Sequence, residues 1–500
     1  MSLLKRNILA NIIGRGWGML LNFFLIPLYL QVLGVEAFGL IGVFGVLMAV
    51  FCLLDMGLGA TLNREMARLS ARADSAQEQR DLVRTLEVVY WGISLGVALV
   101  IWWGAPLIAA HWLNAGELST ETVVQAVQWM GLVVALQLCQ GFYQGGLMGL
   151  QQQVPANVIL MVVGTLRFGG VLPVLWWVSS SIQAFFIWQA LISGLAAGWF
   201  WGVLWRRLPQ GEGRAEFKPV LAWHRRGFAL PMVGNAVIGV FITQMDKIIL
   251  SKMVPLKVLG FYTLANTLAS FVGMVVTPLN SALLPRFAHL WEAHGESALT
   301  DLYHTSCQLM TVMVLPLGMV LIFFSHEVLM LWTGSPEVAA QASLVTSLLV
   351  LASCLNTLIN IPVQMQIAAG WPQLMMYTNM SCMFLSIPAM VVMVQAHGSV
   401  GAAWVSVGIN VFYIAVNIPL MHRRLLRGEM RKFFWKDEIR PWLGILSVVG
   451  LARWWMPANL PWLSTLISLG ALWILASLVG VGLAQRLRHR VLSQIKWVWS

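Results

Sequence analysis

Seven ionisable side chains fall within or at the ends of long apolar stretches: Arg15, Asp55, Glu87, Arg167, Asp246, Lys247 and Arg453. A charge in hydrocarbon is costly, so each is a candidate for function, for pairing, or for escape to the interface. Arg15, Arg167 and Lys247 would stand at inner, middle and outer depths and make a basic track across the membrane. The planar fork of arginine matches phosphate oxygens in a bidentate way. If all three face one cavity, the cargo is anionic, and a phosphate-bearing lipid headgroup fits. Arg167 is the sharpest of the set, because its own hairpin offers no acidic neighbour. Arg15 and Asp55 fall at one depth on successive antiparallel stretches. They form either a clamp between two helices or a ligand-greeting arginine tuned by an acid. Asp246 and Lys247 are adjacent and project about 100° apart on a helix, so they do not pair face to face. Lys247 can snorkel outward, leaving Asp246 toward protein. Asp55 and Asp246 are the titratable candidates for ion coupling. Glu87 reads as interfacial. Arg453, beside Trp454 and Trp455, reads as snorkelling to the outer face.

Chemistry of other kinds finds no support. The chain has no Walker A loop, no HExxH and no GxSxG. Its nine histidines have no metal-ligand spacing. Cys52, Cys139, Cys307, Cys354 and Cys382 all sit in apolar runs and read as small core residues. No enzymatic activity, cofactor or metal is expected, and transport would be passive or coupled to H+ or Na+. Polar amides such as Gln140, Gln244, Asn280, Asn356, Asn360, Asn410 and Asn417 lie in or near the apolar stretches. They either glue helices together or hydrogen-bond sugars.

These residues need a membrane scaffold to position them. The 500-residue chain is 59% hydrophobic and only 10% charged, where soluble chains carry roughly 25% charged residues. A membrane helix needs about 20 apolar residues, and fourteen such spans can be placed. Approximate limits are 8–31, 39–62, 86–110, 123–149, 155–178, 183–205, 228–250, 259–284, 303–325, 337–361, 374–396, 400–420, 441–456 and 463–484. The fold class is all-α and polytopic. With the N-terminus in the cytoplasm, 25 of the 31 Lys and Arg residues fall on the inner side and only Lys252 and Lys257 outside. That asymmetry predicts both termini inside. It also accounts for the net charge of +11 without nucleic acid. Trp102-Trp103, Trp176-Trp177 and Trp454-Trp455 cluster at span ends, as an interfacial belt does. Lys5 and Arg6 precede a long apolar run without a small-residue cleavage site, so an uncleaved first span is expected. Outer loops are short and leave no room for an external domain.

The chain also repeats. Pro155 and Pro372 open spans five and eleven, and Arg206-Arg207 and Arg423-Arg424 close spans six and twelve, at one common spacing. Gly39 and Gly260 open spans two and eight. The reading is six spans, repeated once, then two more. It divides the chain into residues 1–210, a cytoplasmic linker at 211–227, residues 228–425, and 426–500 for the last two spans and tail. Transporters built from such repeats carry the substrate site between them near the midplane.

The stretches Asn11 to Gly18, "IPLYLQVLGVEAFGL" (26–40) and "LLDMGLGATLNREMA" (53–67) resemble the polysaccharide exporter, or Wzx-type O-antigen flippase, family. So do "QMDKIILSK" (244–252), "LGFYTLANTL" (259–268) and "ALLPRFA" (282–288). That family belongs to the multidrug/oligosaccharidyl-lipid/polysaccharide (MOP) exporter superfamily. The resemblance implies two six-helix lobes around a central cavity plus two extra C-terminal helices. It implies alternating access that flips a polyprenyl-diphosphate-linked oligosaccharide across the bacterial inner membrane. Arg15, Arg167 and Lys247 match the cationic lumen typical of that family. A polysaccharide polymerase or chain-length machinery would be a partner. Competing readings are a multidrug extruder of the same superfamily and a peptidoglycan-precursor flippase. A membrane glycan polymerase is disfavoured by the short outer loops.

Overall fold

A computed structural model describes residues 3–53, 58–72, 75–211, 213–219, 226–274, 276–293, 295–457 and 460–489, without the side chains of 3–13, 15, 58, 60, 226–236, 277, 278 and 281. The described residues are helical almost throughout, and all fourteen spans have a helical counterpart. In chain order the helices are α1 Leu3–Cys52, α2 Leu58–Ser70, α3 Ala76–His111, α4 Thr120–Gly149 and α5 Gln153–Gly164. A π turn at Thr165–Gly169 leads to α6 Val171–Trp177, and α7 Ile182–Arg207 follows. Next come α8 Arg226–Met253, α9 Leu256–Met274, α10 Val276–Glu292, α11 Glu296–Phe323, α12 Ser325–Thr333 and α13 Pro336–Ala368. Then α14 Gln373–Leu425, a second π turn at Phe433–Ile439, α15 Arg440–Trp455 and α16 Trp462–Leu483 complete the order.

Two helices are too long to cross once. At 53 residues, α14 would run about 80 Å if straight, against about 30 Å of hydrocarbon. It turns back at Gly398, whose φ is 58°. α1 does the same at Gly34, with φ 80°. Only glycine takes such backbone angles readily, so each turn sits where the sequence supplies one. Spans one and two therefore share α1, and eleven and twelve share α14. Several helices start with a side-chain cap: Ser119, Ser181 and Ser335 accept from the backbone N–H of Thr122, Ala184 and Val338.

By contacts the chain divides into two units, Met1–Gly260 and Phe261–Ser500. In the first, α2, α3, α4, α5 and α7 share a core that includes Leu62, Met66, Tyr90, Phe142, Tyr143 and Phe200. Small residues let backbones close up. A Cβ on Gly149 would stand 2.4 Å from the Asn63 carbonyl oxygen. Gly39 and Gly260, which the spacing had matched, touch each other's surroundings. A Cβ on Gly39 would lie 2.2 Å from the Leu256 carbonyl oxygen, and one on Gly260 2.3 Å from that of Val35. In the second unit, α13 packs on α11, α12 and α14, and the pair α15–α16 lies against α11.

Ion pairs across helix ends follow the span pattern. Lys218–Asp81 at 2.5 Å, Lys257–Glu117 at 3.0 Å and Arg486–Asp301 at 2.5 Å each join segments that the fourteen-span count puts at one membrane face. Arg453 pairs with Glu327 and lies over the Phe324 ring. At this helix end the arginine is held by protein as well as by its position. The interfacial reading of Glu87 is corrected. It is 3% exposed and buried behind Tyr143 and Trp205, whose hydroxyl and indole N–H both donate to Oε1.

Candidate functional site

Arg167 sits in the middle of the first π turn. Such turns interrupt the α-helical ladder and occur frequently at functional sites. The backbone carbonyls they release need new donors. Here three successive carbonyls find them in side chains. Trp188 Nε1 donates to Leu166 O at 2.8 Å, Gln189 Nε2 to Arg167 O at 3.2 Å, and the Tyr29 hydroxyl to Phe168 O at 2.5 Å. Trp17 Nε1 also donates to Thr165 Oγ1 at 2.9 Å. The turn is thus clamped from α1 on one side and α7 on the other.

The guanidinium is held by neutral groups. Arg167 Nη2 donates to Gln140 Oε1 at 3.1 Å and to Ser193 Oγ at 3.2 Å. Its Nε is buried without a hydrogen-bond partner. Among the described residues no carboxylate pairs with it. Five N–H groups belong to a guanidinium, and a half-buried cation held only by neutral acceptors keeps its full charge for an incoming anion. The arrangement suits one or two phosphate oxygens, bound bidentately.

The other residues singled out in the sequence fall as follows. Lys247, on α8, donates to Gln244 Oε1 at 3.5 Å. Asp246 is partly buried on the same helix. Arg167 and Lys247 keep separate partners, Gln140 and Ser193 for one and Gln244 for the other. Arg15 lies on α1 with its side chain outside the described residues, and Asp55 lies outside them altogether.

The polar amides divide by unit. Gln140 serves Arg167. In the second unit they form a relay between helices: Asn280 Nδ2 donates to Asn360 Oδ1 at 3.0 Å, and Asn356 Nδ2 to Asn410 Oδ1 at 3.0 Å. Gln366 Nε2 donates to Asn417 Oδ1 at 2.5 Å. Asn280 Oδ1 is buried and unpartnered. These contacts tie α10, α13 and α14 together, which is the helix-glue role.

Sequence reasoning did not find the supporting donors Tyr29, Trp188 and Gln189, nor the acceptor Ser193. The glycines Gly164, Gly169 and Gly170 around Arg167 were the available signal. It also missed a buried network in the second unit. There His304, 1% exposed, lies between Asp437 and Glu429 Oε2, the latter at 3.0 Å. Gln308 Nε2 donates to Asp437 Oδ1 at 2.7 Å, and the Thr311 hydroxyl to Glu438 Oε2 at 2.6 Å.

Comparison with known proteins places this architecture. The chain belongs to the polysaccharide biosynthesis protein family, whose profile matches residues 4–291. Residues 231–392 also match MatE. No curated protein matches the chain. Among solved structures it is similar to the lipid II flippase MurJ in an inward closed conformation, at 13% identity over 97% of this chain and 99% of that one, with a TM-score of 0.73. It is similar to an inward-facing multidrug resistance MATE family transporter of the MOP superfamily, at 12% identity, 86% and 99% coverage and a TM-score of 0.67. A MOP superfamily transporter from Pyrococcus furiosus, described as having a binding pocket of reversed polarity, matches at 12% identity, 86% and 96% coverage and a TM-score of 0.51. The fold is therefore the fourteen-helix, multi-pass membrane fold of MOP-superfamily transporters.

Proposed function

We propose that this protein flips a polyprenyl-diphosphate-linked oligosaccharide, of the O-antigen or a similar surface-polysaccharide type, from the cytoplasmic to the outer leaflet. The observation that supports this most is Arg167: a half-buried guanidinium with a buried Nε, clamped in position, with no carboxylate among the described residues to neutralise it. A diphosphate is the anion its fork fits. Such a headgroup cannot cross about 30 Å of hydrocarbon unaided, so it needs a polar path while the prenyl tail stays in lipid. Arg15 and Lys247 would extend that path, and Asp55 and Asp246 would couple it to H+ or Na+. The protein would act without catalysis or cofactor, in the bacterial inner membrane, beside a polysaccharide polymerase.

The test is a deletion strain complemented with wild type or Arg167→Ala. Wild type should restore surface glycan. The variant should insert normally yet lower translocation by about a hundredfold, the loss of charge-assisted contacts worth about 3 kcal/mol, with complete lipid-linked units accumulating inside. Normal surface glycan in the variant would remove Arg167 from the path. Arg167 would equally serve a peptidoglycan precursor, which is the second reading. The accumulated lipid, identified by mass, separates the two. New sensitivity to cationic drugs with unchanged glycan would instead point to an extruder. Reporter fusions after residues 75 and 430 should read cytoplasmic, and a periplasmic signal at either breaks the span assignment.

A further inference from the structure

A second polar centre in the first unit lies away from Arg167, on the outer faces of α3 and α7. Tryptophan 91 starts it. Trp91 Nε1 donates to the Tyr143 hydroxyl at 2.9 Å, and that hydroxyl donates to Glu87 Oε1 at 2.7 Å. Arg84 Nη1 donates to Glu87 Oε2 at 2.8 Å. The relay fixes Arg84 in the lining of a cavity of about 490 Å³, which Trp91, Gly194, Gly198 and Trp201 also line. The flanking surface is apolar and exposed: Val88, Leu95, Leu191, Leu195 and Trp199. In a membrane protein that surface faces lipid. Arg80, one turn before Arg84, lies with its guanidinium 5.6 Å from the Trp205 ring centroid. Arg206 and Arg207 end α7 nearby in sequence, on the side that the charge count assigns to the cytoplasm.

We propose that this groove is a binding site for one anionic phospholipid of the inner leaflet. Its phosphate would lie on Arg84, and an acyl chain would lie along Gly194 and Gly198 between the two tryptophans. Three features argue for that occupant. Arg84 spends one N–H on Glu87 and has four left, and Glu87 is already saturated by donors from Tyr143, Trp205 and Arg84. The arginine-rich rim matches the negative surface of an inner leaflet. The glycines leave real space, since a Cβ on Gly198 would meet nothing within 4 Å. A strip of small residues at four-residue spacing can also dock a second helix. Here Trp91, 45% exposed, and Trp201, 48% exposed, stand on either side and hold off a helix backbone while admitting a hydrocarbon chain.

Native mass spectrometry of the purified full-length protein tests this, with phosphatidylglycerol or phosphatidylethanolamine added in steps. Wild type should retain one phosphatidylglycerol about tenfold more tightly than phosphatidylethanolamine, because both offer a phosphate to Arg84 but the ammonium of phosphatidylethanolamine cancels that charge beside the arginine rim. Gly198→Leu, whose Cβ meets nothing within 4 Å and whose side chain enters the groove, should erase that preference. Arg84→Gln should do the same. Equal retention of the two lipids by wild type, or phosphatidylglycerol retention unchanged in Gly198→Leu, would overturn the proposal. A wild-type dimer that Gly198→Leu dissociates would assign the strip to a second copy instead.

Discussion

Arg167, half-buried, and His304, buried, are both basic side chains near helix irregularities, and their surroundings are opposite. Arg167 is given neutral acceptors, Gln140 and Ser193, and no acid among the described residues. His304 is given two carboxylates, with Gln308 and Lys432 completing their bonding. The Gln308 side-chain oxygen accepts in turn from the backbone N–H of Arg486 and Leu487. One site leaves charge available, while the other consumes it. The first arrangement is the one the proposed anion site needs, and the second is one that fastens a fold. The His304 network links α11 to the π turn before α15 and to the chain after α16, so it secures the last hairpin to the second unit.

The comparison predicts a large stability loss at one site and a small one at the other. His304→Ala leaves Asp437 and Glu429 facing an empty site, and breaking a buried pair in this way costs about 3–5 kcal/mol. A large drop in melting temperature is expected, with transport falling only in proportion to folded protein. Arg167→Ala should cut transport about a hundredfold with little loss of stability, because it removes a charge that no acid among the described residues compensates. If Arg167→Ala unfolds the protein and His304→Ala does not, the two roles are reversed.

Acid should find the second site and pass over the first. Burial works to raise the Glu429 carboxyl, but hydrogen bonds from Lys432 and His304 outweigh it and hold the group below its ordinary value. A lowered carboxyl contributes stability that is complete above its unfolded value, near pH 4.3, and lost as pH falls through the folded one. Thermal unfolding followed from pH 6 to pH 3 should therefore show a loss at the acid end that Glu429→Gln removes. An unchanged slope in that variant would take Glu429 out of the fastening. The smallest effect belongs to the clamp on the π turn. Tyr29→Phe leaves the Phe168 carbonyl without its donor and should cost about 1 kcal/mol, read as a modest drop in melting temperature with transport reduced in parallel.

The spans were legible because hydrophobic length is a property of sequence alone. The two turns at Gly34 and Gly398 were legible only as gaps between spans, not as breaks within continuous helices. Arg167 stood out because a lone arginine in a long apolar run has few structural explanations. Its donors did not, because Tyr29 and Trp188 look like any aromatic at helical spacing. The His304 network was hidden by its neighbourhood: Asp437 and Glu438 lie in a segment dominated by basic residues, which reads as a solvated cytoplasmic face. Burial of those acids depends on where α11 packs, and that is a tertiary fact. Glu87 was misread for the same reason.

The π turn at Thr165–Gly169 carries one residue more than the helix around it would use. Deleting a single residue there would let the span relax to an uninterrupted α-helix and rotate α6 by about 100° relative to α5. Val171 and Leu175, now buried, would swing out, while Trp176 and Trp177, 52% and 81% exposed, would turn inward. The insertion is thus a register device: it lets one span present Arg167 to Gln140 and Ser193 and still deliver its tryptophan pair to the membrane interface. Length variation at these five positions is therefore the change this span should tolerate least.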